Sequence, residues 1–234
     1  MPSTAFTVLE VVLATPRTRI IRLDAGPLPF VFTAGQAVMV GLHGSSLRKP
    51  YSIASAPGEV LRTGVVQLLL QIDDSGALDP HLELAAPGTV LDVEGPFGTF
   101  GLAPEAASDP LLFVAGGTGI APLRSMLMHR LSRAHQAAVA IVYSARAPEA
   151  FAFRPELDAL QEAGRVKVYF TVTRDEGGAW PGRRGRIDLE LLRTALPSVE
   201  ALCLLCGPPQ LVSDTKGLLQ GIGVRTERIL TEQY

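Results

Sequence analysis

Apolar and β-branched residues fall in short runs along the first hundred positions: Thr7–Leu13, Arg19–Asp24, Ala37–Leu42, Tyr51–Ala54, Val65–Ile72 and Val90–Glu94. Turn-forming residues punctuate them at Gly26-Pro27, Gly35, Gly44-Ser45, Pro57-Gly58, Gly76 and Pro87-Gly88. About six strands at this spacing predict a closed or nearly closed antiparallel barrel, with one short helix around Asp79–Leu84.

After Gly101 the rhythm changes. Leu111–Ala115 is wholly apolar, as a parallel strand covered on both faces should be. Helical periodicity over Leu123–Leu131, Glu156–Ala163, Leu189–Leu196 and Leu211–Leu219 alternates with strands at Val139–Tyr143, Val166–Val172, Leu202–Cys206 and Arg228–Thr231. Repeated βα units predict a parallel sheet with helices on both faces. The pattern breaks within Leu102–Pro110, so residues 1–103 and 104–234 are read as two domains.

Length and charge narrow the classes. A chain of 234 residues, 47% hydrophobic and 19% charged, can fill two cores. A net charge of −2 argues against nucleic-acid binding. No apolar run reaches the roughly 18–20 residues of a membrane span, and Met1–Leu13 lacks the basic start of a secretory signal. Two cysteines cannot supply the four thiolates of an iron–sulfur cluster. The expected compartment is the cytoplasm.

Gly116-Gly117-Thr118-Gly119-Ile120-Ala121-Pro122 follows a strand and opens a helix. Glycines at such a place permit a tight turn and close backbone approach, and the free N–H groups of the helix start favour a pyrophosphate. Pro122 suits the first helical turn, where its missing N–H costs nothing. Arg48-Lys49-Pro50-Tyr51-Ser52 sets a cation, an aromatic face and a hydroxyl within a few residues, a set suited to a phosphate, a planar ring and a ring nitrogen. Either segment alone also reads as an ordinary turn or strand.

Together with Cys206-Gly207-Pro208-Pro209 and Glu232-Gln233-Tyr234, in this order, these motifs resemble the ferredoxin–NADP reductase superfamily of flavoenzymes. The resemblance implies a flavin-binding Greek-key barrel followed by a Rossmann-like nucleotide-binding domain. It implies that Tyr51 packs on the isoalloxazine ring, that Ser52 hydrogen-bonds near flavin N5, and that Arg48, Lys49 and Pro50 belong to the same flavin site. By the same likeness Gly116, Gly117, Thr118, Gly119 and Pro122 hold the nucleotide's pyrophosphate. Cys206, Gly207 and Pro208 lie beside the nicotinamide, Glu232 is an acid near the reacting atoms, and Tyr234 is an aromatic near the flavin. Ser52, Cys206 and Glu232 are thus the expected catalytic set.

The chain departs from the family at two places. Lys49 stands where an arginine usually precedes the tyrosine by two, and Gly76-Ala77-Leu78-Asp79 puts a carboxylate where the second phosphate motif has a hydroxyl. FAD is the expected flavin, with FMN as the alternative. Arg146, Arg174 and Arg186 follow successive strands or loops and are read as the grip on an adenosine 2′-phosphate, making NADPH the expected donor over NADH; Arg183 and Arg184 are nearby alternatives.

The expected reaction is hydride transfer from NAD(P)H to flavin, then electron transfer to a separate acceptor such as a ferredoxin, a flavodoxin or a small molecule. Rival readings are a reductase of free flavin, a quinone or dye reductase, and an electron-transfer subunit without nicotinamide turnover. Cys203-Leu204-Leu205-Cys206 has metal-like spacing, but strand residues three apart face opposite ways, so no metal is assigned.

Overall fold

The computed structural model describes residues 3–26, 30–72, 82, 85–103, 108–133, 137–175, 178 and 180–234. They form two compact units: Met1–Leu102 with Arg124–Arg133, and Ala103–Leu123 with Ala134–Tyr234.

The first unit is built on six antiparallel strands: β1 (Ser3–Thr15), β2 (Thr18–Asp24), β3 (Ala37–Leu42), β4 (Lys49–Ser52), β5 (Val65–Gln71) and β6 (Val90–Phe97). Their order is β4-β3-β6-β1-β2-β5. A bridge between Ile53 and Leu68, continued by Ala54 N–H donating to Gln67 O at 2.8 Å, joins the two edges and closes the barrel. Alternation sends Phe6, Val8, Ile21, Leu23, Val38, Val40, Leu68 and Leu70 into one apolar core, against which Tyr51 packs.

Pro57-Gly58, expected as a turn, instead opens a helix, α1 (Pro57–Thr63). Proline sits in its first turn, and the Glu59 carboxylate accepts from the Ala56 N–H at 2.7 Å, satisfying a donor the helix leaves free. The helix expected over Asp79–Leu84 falls on residues of which only Leu82 is described.

The second unit carries a six-stranded parallel sheet: β7 (Leu111–Gly116), β8 (Val139–Ala145), β9 (Lys167–Val172), β10 (Arg183–Arg184), β11 (Leu202–Gly207) and β12 (Ile229–Gln233). The order is β10-β9-β8-β7-β11-β12. α3 (Arg154–Glu162), α4 (Leu189–Ala195) and α5 (Pro209–Ile222) lie wholly within this unit, while α2 (Ile120–Leu131) opens in it and from Arg124 onward belongs to the first unit. β7, β8 and β11 are buried at every position, as the unbroken apolar runs require. The chain winds outward from β7 through β8 and β9 to β10, then returns to place β11 and β12 on the other side of β7. The strand order therefore reverses between β7 and β11, where ligands of open α/β sheets bind.

Candidate active site

Three adjacent strands of the second unit deliver their C-terminal ends to this reversal. Cys206 is in register with Ala115 on one side and Glu232 on the other. Hence the turn after β7 (Gly116–Pro122), the turn after β11 (Gly207-Pro208) and the segment Glu232–Tyr234 share one sheet edge. All of these sequence-selected residues are brought together.

Missing side chains make this possible. A Cβ on Gly119 would stand 2.2 Å from the Cys206 carbonyl oxygen, and one on Gly116 would stand 2.8 Å from Leu211 Cδ1. Gly117 has φ +54°, a left-handed backbone that glycine adopts without strain. Its carbonyl accepts from the Tyr143 hydroxyl at 2.9 Å, while Gly116 O accepts from the Tyr234 hydroxyl at 2.6 Å. A glycine turn that opens a helix presents backbone N–H groups, which is what a nucleotide phosphate requires.

Cys206 is buried and donates its thiol to Glu232 Oε2 at 3.7 Å. Burial pushes the thiol well above its ordinary value, and the Glu232 carboxylate adds to the effect. Burial likewise raises the Glu232 carboxyl, so its acid form persists to higher pH than an exposed carboxyl's. Cys203 faces away and is pushed up to about 12 by burial, consistent with a plain core residue.

Toward the other edge of the sheet, Arg146 follows β8, Arg174 lies two residues past β9 and Arg186 two past β10. All three are exposed. The alternatives are occupied: Arg183 ion-pairs with Asp188, and Arg184 with Asp175 at 2.8 Å.

In the first unit, β4 pairs with β3 so that Ser52 faces Ala37, Tyr51 Val38 and Lys49 Val40. Lys49, Tyr51 and Ser52 are half-buried and Pro50 is exposed. A half-buried aromatic ring, a hydroxyl and a cation thus lie on one short strand, groups whose chemistry suits a flavin. The Arg48 guanidinium donates to Asp92 at 2.8 Å and to the Ser45 carbonyl, and lies 3.4 Å from Glu94. Gly76 lies outside the described residues.

Sequence reasoning passed over a clamp on the segment after Ser52. Arg124, 5% exposed, donates to Ala54 O at 2.7 Å and reaches both Glu59 carboxylate oxygens at 3.1 and 3.2 Å. Ser125 donates to Ser55 O at 2.6 Å, and Ser55 Oγ accepts from Gln67 N–H at 2.6 Å. The available signal was an arginine among Ile120, Leu123 and Leu127 on the apolar side of α2.

Comparison with known proteins gives the class. An oxidoreductase FAD-binding domain matches residues 7–101, and an oxidoreductase NAD-binding domain matches residues 113–217. Ferredoxin–NADP reductase B of Sorangium cellulosum is 34% identical over 215 residues, 88% of this chain and 86% of that protein. NADH–cytochrome b5 reductase 1 of Eremothecium gossypii is 27% identical over 238 residues, covering 97% and 82%. The fold is shared with the ferredoxin reductase of carbazole 1,9a-dioxygenase (TM-score 0.84, 23% identity, 99% of this chain and 69% of that one). It is shared too with a ferredoxin NADP+ reductase from Neisseria gonorrhoeae with bound FAD and NADP (TM-score 0.78, 23% identity, 100% and 99%).

Fold and site therefore define an NAD(P)H-dependent flavoprotein oxidoreductase with FAD-binding and NAD-binding domains. The chain belongs to the ferredoxin–NADP reductase superfamily. Among the described residues no helix is long and apolar enough to cross a membrane.

Proposed function

We propose that this protein takes reducing equivalents from NADPH in preference to NADH and passes electrons to a separate cytoplasmic carrier, a ferredoxin or a flavodoxin. The observation that carries the nucleotide choice is the row of exposed arginines, Arg146, Arg174 and Arg186, past the ends of β8, β9 and β10. A 2′-phosphate suits such guanidinium groups, which bind phosphate in two-pronged fashion. Similarity to ferredoxin–NADP reductase B supports the carrier. The free, buried thiols of Cys203 and Cys206 suit a reducing compartment.

When bound, the flavin supplies the redox chemistry, accepting a hydride equivalent and releasing electrons onward. The chain's residues orient and shield. Tyr51 offers its ring to the flavin, Ser52 its hydroxyl near N5, and Lys49 its charge to the flavin phosphates. Gly116–Pro122 and Gly207-Pro208 receive the nucleotide. Cys206 borders the nicotinamide, and Glu232 accepts from its thiol.

Anaerobic absorbance titration of the flavin-loaded protein tests the reading: NADPH should bleach the flavin at lower concentration than NADH. Arg174→Ala or Arg186→Ala should weaken NADPH by about 1.5–3 kcal/mol, the range for hydrogen bonds to charged groups, and leave NADH nearly unchanged. Equal losses for both would assign these arginines to the shared part of the nucleotide. Steady-state assays with added ferredoxin and flavodoxin test the acceptor. A second reading, free flavin as substrate, draws support from Arg48 being engaged by Asp92 and Glu94. Loss of all flavin on gel filtration would favour it.

A further inference from the structure

Two tyrosine hydroxyls meet the nucleotide turn at successive carbonyls, and they differ in freedom. Tyr143 is fully buried, its hydroxyl donating to Gly117 O and accepting from Ala152 N–H at 3.3 Å. Its ring is wedged against Phe151 and Phe170, with centroids 5.1 and 6.3 Å away. Gly117 O and Thr118 N–H belong to one planar trans peptide and point opposite ways. By holding the carbonyl, Tyr143 aims the Thr118 N–H away from itself. The Tyr234 hydroxyl stands against the same turn, donating to Gly116 O at 2.6 Å.

Tyr234 is the more exposed of the two. It is 54% exposed, lies just past β12, and places its hydroxyl where a Cβ on Gly117 would be, 2.8 Å from that position. We infer that the Tyr234 hydroxyl is a displaceable occupant of the phosphate position at the Gly116–Gly119 turn, competing with the nucleotide's pyrophosphate and not only with its nicotinamide ring. The inference rests on the reading that this turn binds NAD(P)H. A phosphate oxygen makes charge-assisted bonds roughly twice as strong as a neutral phenol's, so the nucleotide displaces the tyrosine. It does so at the expense of the bonds the phenol gives up.

The test uses ligands with a pyrophosphate and no nicotinamide: ADP-ribose and its 2′-phosphate, titrated calorimetrically into the flavin-loaded protein. Tyr234→Phe keeps the ring and removes the hydroxyl; it should tighten both ligands by about 2- to 10-fold, the worth of a hydrogen bond or so. Tyr234→Ala should tighten them at least as much. Tyr143→Phe is the control of opposite sign: it frees the Gly117 peptide and should weaken both ligands. Unchanged ADP-ribose affinity in Tyr234→Phe, with wild type binding normally, overturns the inference. So does tightening confined to Tyr234→Ala or to nicotinamide-bearing ligands, since either assigns the effect to the ring. A wild type that binds neither ligand overturns the nucleotide reading itself, a different result.

Discussion

The segment after Ser52 and the turn after β7 are positioned by opposite means. The barrel segment is held by long polar side chains: Arg124 on Ala54 and Glu59, Ser125 on Ser55, and Glu59 capping α1. The glycine turn is held by the absence of side chains, with Gly119 against the Cys206 carbonyl and Gly207 against Gly116. A clamp of charges fixes one backbone from outside and costs much if one partner is lost. Close backbone packing leaves N–H groups free for a ligand and fails through any added carbon.

The difference predicts distinct failures, and the largest is at the clamp. Arg124→Met takes the guanidinium from the partly buried Glu59 carboxylate; breaking a buried pair from one side costs about 3–5 kcal/mol, and the partial exposure of Glu59 sets the loss at the lower end. Urea unfolding measures it. Arg124→Lys keeps the charge without the two-pronged geometry and should recover part of the loss. A loss below about 1 kcal/mol, the range for exposed pairs, would remove the contrast.

Next comes the residue the clamp stands beside. Ser52→Ala should slow flavin reduction by about 10- to 1000-fold, roughly 1.4–4 kcal/mol at the transition state, with flavin retained. Stopped-flow reduction reads it. An unchanged rate would mean that the clamp serves the fold alone.

Gly119→Ala attacks the other region. The new Cβ meets backbone on Cys206 and Gly207 that cannot swing aside, at a cost of about 1–3 kcal/mol in stability. Nucleotide binding should be lost while flavin retention is unchanged. Thermal unfolding with nucleotide titration separates the two effects, and a variant that binds NADPH normally would show that the close packing is dispensable.

The two regions also differ in how far the sequence disclosed them. Gly116–Pro122 is local: a strand, a glycine run and a helix start lie within a dozen letters, so context and chemistry are read together. The unbroken apolar strands were legible for the same reason. The clamp joins Arg124 to residues 65 and 70 positions away, and no local pattern marks Ser125 as the partner of Ser55. Arg48 shows the complementary case. Beside Tyr51 it suggests a cofactor phosphate, but in the barrel Asp92, 44 positions later, lies within reach and engages it. β10, two residues long, carries too short a pattern to be read at all.

That last network yields the smallest predicted effect. Asp92 is buried on β6, and its carboxylate accepts from His43 at 2.7 Å, Gly44 N–H at 3.1 Å and Arg48 at 2.8 Å. The His43 hydrogen bond leads in holding its pKa below the ordinary carboxylate value; burial opposes it, and the Gly44 N–H and the His43 and Arg48 charges assist. The folded protein therefore binds fewer protons at this site than the unfolded chain near pH ~3.9, the ordinary aspartate value. Stability from Asp92 is complete above that pH and is lost as pH falls through the lower folded value. Asp92→Asn should flatten this part of the acid limb in unfolding curves measured across that range. The loss at neutral pH should be modest, because Glu94 remains 3.4 Å from the Arg48 guanidinium. Flavin affinity decides what Arg48 is for. If it stays constant in Asp92→Asn, Arg48 braces the barrel; if it rises as the guanidinium is released, Arg48 belongs to the cofactor, and the charged side chains of this unit serve ligand as well as fold.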